Sequence, residues 1–274
     1  MDEALARIQF SLSPHAPYTV CDENLERVLA ASREMRVPVH VHLHETAEEI
    51  RMSSKGIDGP TRHRSKELCT PVINFKRLGL LNDQLIAVHM VHLSDEEIAE
   101  VAAAGSSVVH CPFSNLKLAS GLCPVGKLDR AGVNVALGTD SSASNNALDM
   151  WAEMRTAATL AKAVLDDATV IPASRALAMA TINGAKALHL DHITGSIEVG
   201  KAADIIAVDL GKVDQQPVYN VISTLVYSTS RSCVSDVWVA GRRLLASTKL
   251  TTIDLDATLA AVHQWQKKVR PGPD

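Results

Sequence analysis

The residue types best able to do chemistry recur at one place in the pattern of this chain: at or just after the ends of short apolar, β-branched runs. His15 follows Phe10–Ser13, His42 and Glu45 stand at the end of Val37–His44, His89 lies in Leu85–His92, and Asp140 closes Val133–Gly138. Imidazoles and carboxylates of this kind ligate divalent cations and exchange protons near neutral pH. The run Val39-His40-Val41-His42-Leu43-His44 alternates, so a strand there carries three imidazoles on one face. Burying three is costly unless they find hydrogen-bond partners or a metal. One of them reads as a ligand and the other two as hydrogen-bonded structural groups. Taken singly, each residue also admits a plainer role. Glu45 would cap the next helix, Asp140 would be an N-cap ahead of Ala147, His89 a core histidine, and His15 a shaper of the turn between Pro14 and Pro17. Polar groups in register with four strand ends outweigh those roles, because strand ends are where parallel barrels collect catalytic side chains. His63, His110, His189, His192 and His263 have no comparable setting.

The elements that must position these groups alternate. Between the first two runs, Leu25, Val28, Leu29, Ser32 and Met35 follow one helical face. Ser94-Asp95-Glu96-Glu97 is a capping box opening a helix that closes at Gly105, and Pro124 and Gly132 bracket a shorter one. Longer helices are predicted over Ala147–Leu165 and Ala173–Leu190, the second interrupted near Asn183-Gly184. Another run, Ser106–Cys111, completes a set of five strands. Strand–helix alternation means parallel strands with helical crossovers, either an open doubly wound sheet or part of an eight-stranded barrel. No G-x-G-x-x-G follows the first strand, so a dinucleotide site has no support. Beyond Gly195 the texture changes: Ala203–Asp209 and Val234–Val239 read as strands, Gly241 as a hairpin turn, and Leu255–Val269 as an amphipathic helix.

Composition narrows the partners. The 274 residues carry a formal net charge of -4 and only 3% aromatics, which argues against nucleic acid and anionic membrane and for a small molecule. Five cysteines (21, 69, 111, 123, 233) form no C-x-x-C pair and read as reduced thiols. The start, MDEALARIQF, lacks a signal-peptide pattern, and no apolar run approaches the length of a membrane span. A cytoplasmic location is the expectation.

The strings SPHAPYT, VHLHET, AVHMVHL, VVHCPFSNLKLASG and VALGTDSSASNN, in that order, resemble the amidohydrolase superfamily. Within it they resemble the branch of 5-methylthioadenosine and S-adenosylhomocysteine deaminases. GSIEVGKAADIIAVDL and VSDVWVAGRRLL resemble that family's C-terminal β-sandwich signature. The resemblance implies an α/β fold, a (β/α)8 TIM-type barrel with a small β-sandwich, divided here at residues 1–194 and 195–274. It implies one divalent metal, Zn2+ or alternatively Fe2+, with His42 and Asp140 as metal ligands. It makes Glu45 the proton shuttle, His89 the group facing the reacting carbon and Asp140 the acceptor of a proton from water. It places His15, Glu45 and Ser144 near a bound nucleoside. It also implies a homodimer.

The same resemblance predicts departures. The family's His-x-His strand has no counterpart before His15, so strands 1–3 are expected to be missing, leaving an incomplete barrel of strands 4–8 and a partial sandwich. His42 and Asp140 are then two ligands where catalytic zinc usually has three. Weak metal affinity and little activity follow for the chain alone, with His40, His44 or a partner subunit as sources of a third ligand. Phe113 stands where the branch often has glutamate, Ser141-Ser142 replaces a usual Gly-Ala, and Ser53–Phe75 reads as a long basic insertion or lid. The leading expectation is hydrolytic deamination of an adenine nucleoside. The alternatives are a chlorohydrolase or a deaminase of guanine, cytosine or triazines, and a non-catalytic truncated remnant.

Overall fold

The computed structural model describes residues 8–55 and 68–269; the basic middle of the expected insertion, with His63, lies outside them. Helix α1 (Asp22–Met35) precedes strand β1 (Val39–Leu43). Then come α2 (Ala47–Lys55), α3 (Pro71–Leu78), β2 (Leu85–His89), α4 (Asp95–Ala104), β3 (Ser107–His110), α5 (Pro112–Lys117), α6 (Val125–Arg130) and β4 (Asn134–Leu137). Three helices follow: α7 (Met150–Leu165), α8 (Ala173–Met179) and α9 (Ile182–Ala187). The four strands are parallel and lie in chain order, β1-β2-β3-β4. A doubly wound sheet would reverse its winding at a switch point; unbroken sequential order is that of a barrel segment.

The strands are shorter than the apolar runs, and the backbone shows why. His44 (φ 54°), His89 (φ 78°) and Met90 (φ 47°) adopt left-handed conformations that break the pleat. The first expected strand, Phe10–Ser13, is reduced to one parallel bridge, Leu12 to Val39. Leu12 donates to the Pro38 carbonyl at 2.9 Å and His40 donates to the Leu12 carbonyl at 2.8 Å. The next donor in that ladder would be Pro14, which has no N–H.

Helix boundaries follow their caps. The Ser94–Glu97 capping box opens α4 and Gly105 (φ 69°) closes it, as expected. Along α1, Leu25 and Ser32 are buried and Val28 and Leu29 pack on the core, whereas Met35 is exposed. Helix α7 starts at Met150 rather than Ala147 because Asp149 takes the amides of Trp151 (3.0 Å) and Ala152 (3.4 Å). The break in the next helical stretch falls at Ala180-Thr181, before Asn183. Asn183 instead donates its side-chain amide to the Val135 carbonyl at 2.8 Å, covering the outer edge of β4.

One face of the parallel sheet meets the helices: Val41, Leu43, Ala87, Val108 and Val135 pack with Phe75, Ile98, Leu128 and Met154. The other face, with His40, His42, Val88 and Val109, lines a cavity of about 330 Å3 that reaches Asp140. Toward the C-terminus, β5 (Ile205–Val208), β6 (Val234–Val239), β7 (Arg242–Ala246) and β8 (Lys249–Leu250) give one antiparallel sheet in the order β5-β6-β7-β8, with α10 (Val221–Tyr227) between β5 and β6 in the chain. Its β6–β7 turn uses Ala240 (φ 48°) and Gly241 (φ 77°), the positive-φ pair a two-residue hairpin requires. Helix α11 (Leu255–Lys268) has no buried residue. None of the helices among the described residues is long and apolar enough to cross a membrane, and the five cysteines are free thiols.

Candidate active site

Strand β1 turns His40 and His42 to the concave face because its alternate residues Val39, Val41 and Leu43 are buried against helices. His42 donates its Nδ1–H to the His15 carbonyl, 2.8 Å away, so in the neutral ring Nε2 is the nitrogen with the free lone pair. The His42 ring stacks on that of His89, with centroids 5.4 Å apart and planes at 21°. His15 itself is exposed, bonded through Nδ1 to the Thr19 hydroxyl (2.9 Å), with its ring 5.2 Å from that of His42. His89 is fully buried, its Nδ1 lies 2.8 Å from the Asn115 side-chain oxygen, and its Nε2 has no hydrogen-bond partner. That orphan nitrogen is 3.9 Å from the Glu45 carboxylate. Burial holds the imidazole below its ordinary pKa, against the pull of the Glu45 charge and the Asn115 bond.

Asp140 ends the β4 segment in a left-handed conformation (φ 60°). Its Oδ2 accepts from the Ser114 hydroxyl at 2.6 Å and the Ser144 hydroxyl at 2.5 Å. Burial pushes its pKa up, but those two hydroxyls, the Ser141 amide and His89 together outweigh burial and hold the carboxyl below the usual range. Asp140 is thus an ionised acceptor and not a helix cap, that task falling to Asp149. Glu45 is not a cap either. The cap of α2 is Thr46-x-x-Glu49: the Glu49 amide donates to the Thr46 hydroxyl at 3.2 Å, and the Glu49 carboxylate takes the amides of His44 (3.1 Å) and Glu45 (2.8 Å). Relieved of capping, the Glu45 carboxylate faces His89 and the Ser120 hydroxyl, 3.4 Å away.

The sequence profile of the amidohydrolase family matches residues 2–244. The chain belongs to the amidohydrolase family. It is 48% identical over 262 residues to the 5-methylthioadenosine/S-adenosylhomocysteine deaminase of Teredinibacter turnerae, covering 96% of this chain and 57% of that one. Among solved structures it is similar to an adenosine deaminase from Xanthomonas campestris with bound zinc, at a TM-score of 0.89 and 48% identity over 95% of this chain and 57% of that one. It is also similar to the atrazine chlorohydrolase of Arthrobacter aurescens complexed with zinc, at 0.82 and 26% identity over 91% and 53%. The chain therefore spans little more than half the length of the relatives it matches. The sheet belongs to an α/β fold of TIM-barrel type.

The two imidazoles of β1 and that of His44 just beyond it do not share one fate. His44, with its left-handed backbone, is fully buried and turns into the protein. Its Nδ1 meets the His92 carbonyl at 2.8 Å and its Nε2 accepts the Val72 amide at 3.1 Å, so both nitrogens are committed and it is no third metal ligand. His40 shares the concave face with His42. Among the described residues no group of three or more His, Cys, Asp or Glu is arranged to hold a metal. Several residues of the site went unread in the sequence. Ser114 and Asn115 sit on α5, Ser120 beyond it, and Asn145 and Glu153 behind the Asp140 loop; CPFSN, LASG and SASNN contain all but Glu153.

Proposed function

We propose that this chain carries the strand-end machinery for hydrolytic deamination of an adenine nucleoside of the 5-methylthioadenosine or S-adenosylhomocysteine type. The observation that carries the reading is the pairing of a buried, unpartnered His89 Nε2 with the Glu45 carboxylate at 3.9 Å, beside an Asp140 held ionised. The net reaction replaces the exocyclic C–N bond of adenine by a C–O bond from water and releases ammonia.

His42 and Asp140 would hold a divalent metal, zinc in this reading, as two of its ligands. The fit rests on His42 giving its Nδ1–H to a backbone carbonyl, the arrangement that orients a ligating imidazole, and on the two hydroxyls that fix Oδ2 of Asp140 while Oδ1 takes no part in those bonds. Zinc bound there supplies Lewis acidity that favours ionisation of water near neutral pH. Asp140, ionised, takes one proton from the water and passes it to the departing amino group, which leaves as ammonia. Glu45, when protonated, delivers its proton to the ring nitrogen beside the amino-bearing carbon, making that carbon electrophilic, and regains one from the new hydroxyl as the C=O bond forms. His89, with its Nδ1 proton given to Asn115, accepts through Nε2 a hydrogen bond from the hydroxyl arriving at that carbon, and Ser144 and His15 border the space for the nucleoside.

The test is to incubate the purified chain, supplied with zinc, with 5-methylthioadenosine, guanine and a chlorotriazine separately. Ammonia or chloride release and the product mass are read at long incubation. Slow conversion of the adenine nucleoside alone is the expected result. Turnover of the triazine or of guanine in preference, or of none of the three, refutes it.

A further inference from the structure

Glu153 is the one fully buried carboxylate on α7, and neither of its oxygens points to solvent. Oε2 accepts the Phe113 amide at 3.1 Å, and Oε1 accepts the Asn145 side-chain amide. The first partner matters because α5 begins without help of its own. Cys111, at its N-cap, makes no side-chain bond, and Pro112 has no N–H. The Phe113 amide is therefore an orphan donor satisfied from another helix. The second partner lies in the loop after β4, where Asn145 also donates to the Thr139 carbonyl at 2.9 Å.

Both clamped segments deliver groups to the site. The two residues after Phe113 are Ser114, which donates to Asp140, and Asn115, which accepts from His89. The residue before Asn145 is Ser144, the second hydroxyl on Asp140. We propose that Glu153 is a positioning residue: by tying the start of α5 to the β4 loop it sets both hydroxyls on Asp140 and the amide that orients His89. The inference rests on the reading of Asp140 and His89 as reacting groups. It adds the residue that aligns them, which touches neither.

A burial penalty supports the geometry. Burial raises the Glu153 pKa to about 7, against the pull of the Phe113 amide and the Asn145 bond. A group so placed for packing alone would be better replaced by an apolar side chain.

The test is Glu153→Gln, which keeps the volume but sets an NH2 group against one of the two donors. Nitrogen-15 NMR of labelled histidines reads the tautomer of His89 without substrate or metal. Wild-type protein is expected to hold the Nδ1–H form, and E153Q to show a mixed or Nε2–H signal. Where wild-type turnover is measured, kcat should fall about 10- to 100-fold, as misplacement of reacting groups does. KM should stay within about twofold, since binding contacts are untouched. If E153Q does not fold, Asn145→Ala cuts the same clamp from the other side and carries the same expectation. A folded variant with an unchanged His89 signal overturns the proposal even if the wild type is a deaminase. A shifted signal upholds it even if the substrate is another.

Discussion

The substitution Glu49→Gln tests whether the α2 cap is built as described. Glu49 is 3% exposed and takes the backbone amides of His44 and Glu45. Burial raises its pKa from the ordinary 4.5 to about 7, with those amides opposing the rise. Because the folded value is the higher one, the contribution to stability is complete below about pH 4.5 and is lost as the pH climbs to about 7. That gap, at about 1.4 kcal/mol for each tenfold change in proton affinity, corresponds to about 3 kcal/mol across the window. Glutamine cannot titrate, so E49Q removes this loss. Urea unfolding of wild type and E49Q at pH 4.5 and pH 8 gives four free energies, and their double difference cancels every other titrating group. The wild type should lose about 3 kcal/mol more than the variant on going from pH 4.5 to pH 8. Parallel pH dependence in the two proteins would refute the argument that a buried Glu49 carboxyl holds the end of β1.

Glu45→Gln keeps the shape beside His89 but has no proton to give. It should lower kcat about 10²- to 10⁴-fold with little change in KM, measured by ammonia release from 5-methylthioadenosine; an active variant removes Glu45 from the proton-shuttling role. For the metal, zinc content after dialysis against metal-free buffer should fall in His42→Ala and Asp140→Asn relative to wild type. His44→Ala should retain the wild-type zinc content while lowering stability by about 1–3 kcal/mol, because it strands the buried Val72 amide. Zinc that survives loss of His42 but not of His40 reverses the ligand assignment.

What the sequence reveals divides along a physical line. Parallel strands that pack one face on helices are written as β-branched, largely apolar runs, so β1 to β4 and the residues at their ends are readable, and alternation places His40 and His42 on one face. His44 escapes that rule because its positive φ, set by the loop it enters, rotates the side chain off the strand's period. The Ser94–Glu97 cap is local chemistry and is legible. Thr46-x-x-Glu49 has the same form, but Glu45 stands as near the helix start, and only the folded turn decides which carboxylate the amides take. Glu153 has no local mark. A glutamate in the first turn of a helix looks like compensation for the helix dipole. Its importance comes from segments 8 and 40 residues away in sequence.

The left-handed conformations of His89 and Asp140 tie these parts together. For non-glycine residues such backbone costs about 1–3 kcal/mol each and persists only where the surroundings over-determine it. Here the surroundings are identifiable. Asn115 holds the His89 ring, Ser114 and Ser144 hold the Asp140 carboxylate, and the Met90 amide that follows His89 donates to the Leu43 carbonyl at 3.1 Å, pinning the end of β2 to the end of β1. His89 and Asp140 are therefore each held by side chains from outside their own strands. Freed from Asn115, His89 could relax toward a strand conformation and lose its place opposite Glu45; freed from the two hydroxyls, Asp140 would lose the contacts that outweigh its burial. The order of the site is thus carried by polar contacts among β-strand ends and the loops after them.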